Sequence, residues 1–538
     1  MRATPVGLTQ AEPRARTVAA LRTRQDDGAY SRLVGAVAFL LAALAVAWAD
    51  RAGVLVLYGD GASHLVMSRR IFDSLTPGLA QIGTTWLPLP HLLVQPFIYV
   101  DWLYQTGLAA SLVGIACYVL TCVFVYRLCY LATRSEPAAL VGAAVVGLNP
   151  NVLYIQATPL TEPAMLVTFA GAAYFLVRWS RTFAMLDLVL AGYCTCLASL
   201  ARYDGWMLMV AGFGLVPVVA LLARRGRQFA EAHALAFLAM AINGPLLWML
   251  YHLLIFHDPI YFIRNPFSAE AQQDALVAAA ALPTKGNLLL SVAVYNWAVL
   301  DNVGAALAAL GVVGLLLFAL RNWRRPLAAA TLLLLAPYAF NIVALVIGQS
   351  TIVLPQFSAF GQIHNARYGL MGLLPLAFGI ACCVPWLRRF WPAAALVVLL
   401  QSAALVASGQ VIVYQEAWKD SAGSKVEVAD WLREHYDGGL VLMDPYLAAR
   451  GQAGASVIWR TGLPLHNFVN DGNHPYWEDA LRDPRGVRWV VIVPGDRLEE
   501  DFDGGQRLEP WFEPVYAGPE ATIYRRLPDA TTGAEQRG

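Results

Sequence analysis

Apolar segments long enough to cross a lipid bilayer dominate this 538-residue chain. A spanning helix needs about 20 predominantly apolar residues, and eleven segments approach or exceed that length. They cover 33–49, 106–126, 138–157, 163–179, 187–201, 206–223, 232–256, 303–320, 327–347, 368–387 and 391–409. These runs are continuous, whereas the strands of a membrane barrel alternate in hydrophobicity. The sequence therefore predicts a mainly α, polytopic membrane protein with about eleven transmembrane helices.

Composition supports this interpretation. Hydrophobic residues make up 58% of the chain and charged residues 14%, against about 45–50% and 25% in soluble proteins. A single water-soluble domain is therefore excluded. The formal net charge is +1, so no global positive field favours a nucleic-acid partner. Membrane lipid is the expected surrounding.

Arginines in the loops predict the orientation of the helices. The N-terminal tail and the alternate connections that match it carry eighteen arginines, whereas the opposite connections carry seven Lys and Arg residues. Cytoplasmic loops carry the excess of Lys and Arg. The chain is therefore predicted to be a multi-pass protein of the plasma (inner) membrane with a cytoplasmic N-terminus. An odd number of helices then makes the C-terminal region extracytoplasmic.

Four regions follow from these patterns. We predict a cytoplasmic tail over 1–32, a transmembrane domain over 33–410, an extracytoplasmic α/β domain over 411–528 and a disordered tail over 529–538. After residue 410 the chain holds 21 of its 37 acidic residues. A helix and short strands separated by Gly-rich turns are expected there. They cover Ser424–His435, Leu440–Met443, Arg488–Val493, Val515–Tyr516 and Thr522–Arg525.

The first outer loop carries the strongest candidate for a catalytic acid. Asp60 stands between Gly59 and Gly61 just after the first apolar segment, and flanking glycines let the backbone approach a ligand closely. A hydrated loop acid is the alternative. The residues that follow predict an amphipathic interfacial helix with three polar candidates for substrate binding. These are His64, Arg69 and Arg70.

Two further outer turns combine acids with a cation. Glu162 lies in Thr161-Glu162-Pro163 at the outer end of two closely spaced apolar segments. A carboxylate at the bilayer edge is costly unless it is paired or functional, although it could also cap the next helix. Arg202-Tyr203-Asp204 forms a short outer hairpin. Its two charges could pair with each other or with a ligand.

The last outer loop ends in a cation that is well placed to bind a lipid phosphate. His364 precedes Arg367-Tyr368 at the start of a spanning helix, on the side that is otherwise poor in arginine. A guanidinium binds phosphate with two parallel hydrogen bonds. The alternative is an interface anchor that snorkels outward.

Several enzyme classes are disfavoured by missing motifs. The chain has no phosphate-binding Gly-x-x-x-x-Gly-Lys-Ser/Thr, no Gly-x-Ser-x-Gly and no His-Glu-x-x-His. A transporter or flippase would need polar residues near the midplane of several helices, whereas the polar candidates here gather at one face. A non-catalytic cell-envelope assembly protein remains a further alternative.

Together these motifs resemble those of the C-type (GT-C) integral-membrane glycosyltransferases. The nearest branch is the family 39 group of protein O-mannosyltransferases and aminoarabinose transferases. The resemblance covers roughly 33–410 and rests on the order and sidedness of its pieces. These are Tyr58-Gly59-Asp60, Leu160-Thr161-Glu162-Pro163, Arg202-Tyr203-Asp204-Gly205-Trp206 and Arg367-Tyr368-Gly369.

The resemblance implies transfer of a sugar from a polyprenyl-phosphate-linked donor on the outer face, with inversion at the anomeric carbon. It implies that Asp60 is the catalytic base, that Glu162 or Asp204 is the second acid, and that Arg367 holds the donor phosphate. Gly61 follows Asp60 where protein mannosyltransferases have an acid, and the loop lacks Asp-x-Asp. The acceptor (a glycan, lipid or protein) and a divalent cation, for which Asp60 and His64 are candidate ligands, are therefore left open.

The chemistry of sugar transfer from a lipid phosphate explains why cations and a carboxylate are needed together. A sugar attached to a lipid phosphate has a charged leaving group, which cations stabilise, and the acceptor hydroxyl needs a carboxylate to take its proton. Arg69, Arg70, Arg202 and Arg367 are the candidate cations. Tyr203, Tyr368, His64 and His364 complete the predicted substrate-binding set.

Overall fold

A computed structural model describes residues 28–265, 268, 271, 283–358, 361–421, 425–444, 453–519 and 521–528. Most of the predicted tail over 1–32 and the whole of the predicted tail over 529–538 lie outside the described residues. The rest of the chain forms a helical bundle followed by a small domain with one sheet.

The helices of the bundle are numbered in chain order within the described residues. The first half comprises α1 (Ser31–Arg51), α2 (Gly59–Arg70), α3 (Leu89–Ile98), α4 (Asp101–Thr106), α5 (Leu108–Thr133), α6 (Glu136–Gly147), α7 (Pro150–Ile155), α8 (Glu162–Thr182), α9 (Met185–Ala201) and α10 (Asp204–Leu222). The second half comprises α11 (Arg227–Ala241), α12 (Asn243–Phe256), α13 (Tyr261–Arg264), α14 (Leu288–Val303), α15 (Ala305–Asn322), α16 (Pro326–Thr331), α17 (Ala336–Ile347), α18 (Leu373–Leu387), α19 (Trp391–Ala407) and α20 (Ile412–Ser421).

Eight helical stretches within the described residues are long and apolar enough to cross a membrane. They are Ser31–Arg51, Leu108–Thr133, Asp204–Leu222, Arg227–Phe256, Ala305–Asn322, Pro326–Ile347, Ala366–Leu387 and Trp391–Asp420. The three other predicted segments are also helical. Residues 138–157 are divided between α6 and α7 because Asn149-Pro150 interrupts the helix, while 163–179 and 187–201 lie in α8 and α9. The predicted fold class is confirmed.

Small residues let helices of the bundle approach closely. A Cβ atom on Gly314 of α15 would lie 1.8 Å from the backbone oxygen of Gly379 in α18. A Cβ atom on Gly379 would lie 2.1 Å from the backbone oxygen of Gly311. In lipid, such close backbone contact replaces the hydrophobic effect as a source of helix association. Larger residues at these positions would force α15 and α18 apart.

The C-terminal domain contains one mixed sheet with the strand order β2-β1-β3-β5-β4. Its elements are α21 (Lys425–His435), β1 (Val441–Met443), α22 (Ala453–Thr461), β2 (Phe468–Val469), α23 (Tyr476–Arg482), β3 (Trp489–Ile492), α24 (Arg497–Asp501), β4 (Phe512–Ala517) and β5 (Thr522–Arg526). Strand β1 pairs in parallel with β2 and β3, and β5 is antiparallel to both β3 and β4. Four of these five strands and helix α21 overlap the segments predicted from sequence, whereas β2 and helices α22, α23 and α24 were not predicted.

The C-terminal domain is attached to the segment that directly follows helix α2. Asp73 accepts hydrogen bonds from the backbone N–H groups of Leu465 and His466 at 3.1 and 3.2 Å. The His466 side chain contacts the same carboxylate at 2.7 Å. Arg69, in the last turn of α2, donates to Asp73 from its Nε at 3.3 Å. Helix α2, whose second residue is Asp60, is thereby fixed at its C-terminal end.

Candidate active site

Arg367 lies at the centre of the candidate site, where three carboxylates contact one guanidinium. Its Nε donates to Oε1 of Glu162 at 3.2 Å, and its Nη1 donates to Oε1 of Glu416 at 2.6 Å. Its Nη2 donates to Oδ2 of Asp60. The Arg367 side chain is 6% exposed. Every nitrogen of this guanidinium is therefore engaged by an acid.

Arg202 extends the cluster through a shared oxygen. Its Nη1 donates to Oε1 of Glu162 at 2.9 Å, the atom that Arg367 also contacts. Its Nε donates to Oδ2 of Asp204 at 3.2 Å. Burial disfavours the charge on Arg202, but Asp204 and Glu162 outweigh that effect and raise its pKa. The two arginines consequently form one connected network, with four carboxylates to two guanidiniums.

The ends of helices explain how this excess of acids is tolerated. Asp60 is the second residue of α2, and Glu162 and Asp204 are the first residues of α8 and α10. The N-terminus of a helix carries partial positive charge, so it stabilises nearby anions. Converging N-termini also favour binding of an added anion such as a phosphate.

Close backbone contact holds the Arg367 segment in place. Arg367 belongs to the short 3-10 helix Ala366–Gly372, which precedes α18. A Cβ atom on Gly369 would lie 2.2 Å from the backbone oxygen of Ala298 in α14, so glycine is required there. Asn302 of α14 donates to the backbone oxygen of Ala366 at 2.7 Å. The cation is thus held by a rigid turn.

Aromatic rings line the two cations. The guanidinium carbon of Arg202 lies 4.4 Å from the centre of the Tyr368 ring. That of Arg367 lies 5.1 Å from the Tyr58 ring and 5.5 Å from the Tyr368 ring. Such cation–π contacts gain strength where water is excluded.

The acids differ sharply in their access to solvent. The side chain of Asp60 is 32% exposed, whereas those of Glu162 and Glu416 are 1% and 2% exposed. The Oε2 atom of Glu162 is buried without a hydrogen-bond partner among the described residues. Of the three acids on Arg367, only Asp60 can meet an incoming substrate.

A neutral histidine pair lies one helical turn beyond Asp60. His64 and His91 of α3 face each other with Nδ1 and Nε2 2.8 Å apart, and the Trp86 ring contacts His64 at a tilt of 34° with ring centres 4.1 Å apart. Burial, the neighbouring His91 and the two site arginines lower the pKa of His64 well below its ordinary value. His64 also lines an apolar pocket with Leu65, Val94, Val113 and Leu160.

A comparison of the chain with known proteins identifies its fold. No protein-family model matches it, and no curated protein matches it in sequence. Among solved structures, it is similar to the crystal structure of ArnT from Cupriavidus metallidurans bound to undecaprenyl phosphate. The TM-score is 0.52 at 13% identity, covering 94% of this chain and 100% of that chain. The fold is of the GT-C type.

Five predicted site residues meet in this GT-C fold. Asp60, Glu162, Arg202, Asp204 and Arg367 form the network, and Tyr368 lies against both guanidiniums. They come from four different connections between helices, so the helical bundle brings them together.

Other predicted substrate-binding residues lie outside the network. Arg69 pairs with Asp73 and Asp101, and Arg70 donates from Nε to Gln81 at 2.9 Å. Tyr203 donates from its hydroxyl to the backbone oxygen of Thr85 at 2.9 Å. His364 is exposed, and its backbone pairs with that of Val353. These residues frame the neighbouring loops.

Sequence reasoning did not identify Glu416 and Asn341. Asn341 of α17 donates to Oδ1 of Asp204 at 2.8 Å. Glu416 lies in α20 on the same buried face as Ile412 and Val413. A single acid among apolar residues at helical spacing was the available signal for Glu416. Asn341 lies inside a long apolar run, where one amide is a weak signal.

No three His, Cys, Asp or Glu side chains in the described parts of the chain are grouped so that they could hold a metal ion. The network instead pairs its acids with arginines. A divalent cation, for which Asp60 and His64 are candidate ligands, stays an untested alternative.

Proposed function

We propose that the protein is a membrane glycosyltransferase that moves a sugar from a polyprenyl-phosphate donor to an acceptor hydroxyl, with inversion. The observation that carries the proposal is the pairing of a partly exposed carboxylate, Asp60, with a buried arginine, Arg367, in a GT-C fold. The reaction needs one group of each kind at one place.

Each group has a defined part in the transfer. The acceptor oxygen attacks the anomeric carbon and forms the new glycosidic bond while its proton passes to Asp60. The bond from that carbon to the phosphate oxygen breaks, and the phosphate leaves with the electron pair. Arg367 and Arg202 stabilise the charge that develops on the leaving phosphate. Glu162, in contact with both arginines, sets their spacing.

A lipid donor suits the surroundings of the site. The pocket beside His64 has a volume of only about 30 Å³ and is lined mainly by apolar residues of α2, α3, α5 and α8, so it offers an apolar surface beside the site and not space for a whole isoprenoid chain. The similar ArnT structure holds undecaprenyl phosphate, which supports the same class of donor here. The eight candidate spans give such a donor access from the membrane.

Orientation is part of the proposal. The arginine-rich connections would be cytoplasmic, and the site and the C-terminal domain would then lie on the extracytoplasmic side of the plasma (inner) membrane. The acceptor would be a glycan, lipid or protein of that compartment.

Transfer from synthetic donors tests the proposal. Purified full-length protein in liposomes would receive radiolabelled sugars linked to polyprenyl phosphate, with an envelope extract as the source of acceptor. Wild type should yield labelled product, and Asp60→Asn should lose at least about a hundredfold in rate, the lower range for general-base catalysis. Asp430→Asn is the matched control because Asp430 is 43% exposed and pairs with its neighbour Arg433.

Thermal melting of each variant would establish folding. Loss of transfer in well-folded Asp60→Asn, with Asp430→Asn active, supports the enzyme and its base. No product from wild type with any polyprenyl-phosphate sugar, together with no binding of polyprenyl phosphate, would refute the proposed function.

A further inference from the structure

The guanidinium that would receive the donor phosphate contacts a carboxylate through each of its three nitrogens. Three of its five N–H groups are thereby engaged by Glu162, Glu416 and Asp60. A phosphate that binds this guanidinium through two parallel hydrogen bonds competes with these carboxylates for its N–H groups. The burial of each carboxylate and its other contacts decide which of the three leaves the guanidinium.

Glu416 is fixed most firmly. Besides the Arg367 side chain, its Oε1 accepts from the backbone N–H of Asn365 at 2.7 Å, and its Oε2 accepts from the backbone N–H of Arg367 at 3.3 Å. Removing this 2% exposed carboxylate from its partners would leave a charge buried without compensation, which is strongly unfavourable. Glu416 thus remains in place.

Glu162 is likewise held. Its Oε1 contacts both Arg202 and Arg367, and the side chain is 1% exposed. It also begins helix α8, where the helix dipole favours its charge. Displacing Glu162 would break two ion pairs at once. It therefore does not yield to a phosphate either.

Asp60 is less buried than Glu416 and Glu162 and has fewer contacts. Its carboxylate contacts Arg367 through Oδ2 alone among the recorded partners, and 32% of its side chain is exposed. Water can solvate this carboxylate when it leaves the guanidinium, so the exchange avoids a burial penalty. The backbone at Asp60 stays fixed because the N–H of Gly59 donates to Asp420 of α20 at 2.6 Å. Only the side chain needs to rotate.

We propose that the donor phosphate displaces Asp60 from Arg367 and thereby frees the catalytic base. In the resting protein Arg367 holds Asp60 in an ion pair. When the donor binds, the Nη2 N–H of Arg367 leaves Asp60 and donates to a phosphate oxygen. The Asp60 side chain then rotates toward the acceptor hydroxyl. Glu416 is the positioning residue that keeps Arg367 in place during the exchange. This inference rests on the proposed function.

Arg202 offers the phosphate a first contact. Its Nε and Nη1 are engaged by Asp204, Glu162 and Thr161, whereas no described residue accepts from its Nη2. Because both guanidiniums share Oε1 of Glu162, a phosphate on Arg202 lies beside Arg367. The phosphate can then replace Asp60 on Arg367 without returning to solvent.

The excess of acids predicts how affinity depends on Asp60. Four carboxylates face two guanidiniums, so an incoming phosphate meets uncompensated negative charge. Replacing Asp60 with a neutral residue removes both a competitor for Arg367 and one unit of this charge. The same substitution that abolishes transfer should therefore tighten binding of the lipid phosphate.

Titration with undecaprenyl phosphate, which has no sugar, tests the exchange in full-length protein in nanodiscs. Wild type, Asp60→Asn, Asp60→Ala and Asp60→Glu would be compared, with melting curves as the folding check. We expect about tenfold tighter binding for the Asn and Ala variants, equal to about 1.4 kcal/mol. Asp60→Glu, which keeps the charge, should bind as wild type does.

The outcomes separate this inference from the proposed function. Tighter binding by both neutral variants supports the exchange. Equal or weaker binding by both, with wild type active in transfer, would overturn the exchange and leave the enzyme in place. If neither wild type nor any variant binds the lipid phosphate, the exchange is overturned, and the proposed function is overturned with it when wild type also yields no product.

Discussion

Arg367 and Glu416 are joined twice, through side chain and backbone. The Nη1 of Arg367 donates to Oε1 of Glu416 at 2.6 Å, and the backbone N–H of Arg367 donates to Oε2 at 3.3 Å. Glu416 belongs to α20, which lies between the last long apolar helix and the C-terminal domain. The segment that leaves the bundle therefore fixes the central cation of the candidate site.

Glu416→Ala should destabilise the protein by about 3 kcal/mol, the lower range for breaking a buried ion pair, because Arg367 keeps two other acids. Glu416→Gln retains the shape and an acceptor, so a smaller loss is expected. Thermal melting in detergent measures both. Glu513→Ala is the control because Glu513 is 47% exposed in a surface pair, which is worth at most about 1 kcal/mol. Equal melting of Glu416→Ala and wild type would contradict the role assigned to Glu416.

Arg202→Lys should lower transfer at least about tenfold even though the charge is kept. Arg202 contacts Glu162 and Asp204 from two different nitrogens and stacks on Tyr368. A lysine ammonium is a point charge that cannot reproduce this fork. The rate of sugar transfer is the measurement.

Arg433→Lys on the exposed side of α21 provides the matched control for that substitution, since its side chain is 51% exposed. Full activity of Arg202→Lys would show that only the positive charge matters at this position.

The bundle and most of the acid–arginine network could be predicted from sequence because membrane helices have a strong signal and short outer turns concentrate polar residues. Asp60, Glu162, Arg202 and Arg367 all follow or precede apolar runs. The ends of helices on one face must lie near each other in a bundle. Their pairing partners could not be assigned, because sequence order does not say which helices are neighbours.

Glu416 shows the limit of that reasoning. Glu416 follows the last apolar run, where the composition already resembles that of the C-terminal domain. The sequence therefore assigns its helix to the start of that domain. In the structure, Tyr58 donates from its hydroxyl to the backbone oxygen of Val413 at 2.6 Å. A contact between residues 355 positions apart leaves no local pattern.

The His64–His91 pair should make the protein less stable as pH falls. Burial lowers the pKa of His91 to about 4, whereas an unfolded histidine titrates near 6.5. The unfolded chain thus takes up a proton first, and the stability present above about pH 6.5 is lost as pH falls toward 4. For His91 the loss is at most roughly 3 kcal/mol.

Melting curves at pH 7.5 and 5 would measure this loss. His91→Gln should show a smaller difference between the two pH values than wild type, whereas His435→Gln, which alters an exposed histidine, should match wild type. An unchanged pH dependence in His91→Gln would mean that His91 does not stay neutral in the folded protein.

Asp73→Asn should loosen the C-terminal domain from helix α2. Asp73 accepts from two consecutive backbone N–H groups and contacts His466. An asparagine would place an amide donor against one of these donors, and an unsatisfied donor at this part-buried contact costs at most about 1–3 kcal/mol. Hydrogen exchange of 465–473 should accelerate accordingly, about five- to a hundredfold. Asp483→Asn, in a local surface pair with Arg485, should leave that exchange unchanged. Because α2 also carries Asp60, kcat for sugar transfer should fall when this contact is loosened. Equal hydrogen exchange in Asp73→Asn and wild type would show that other contacts hold the domain.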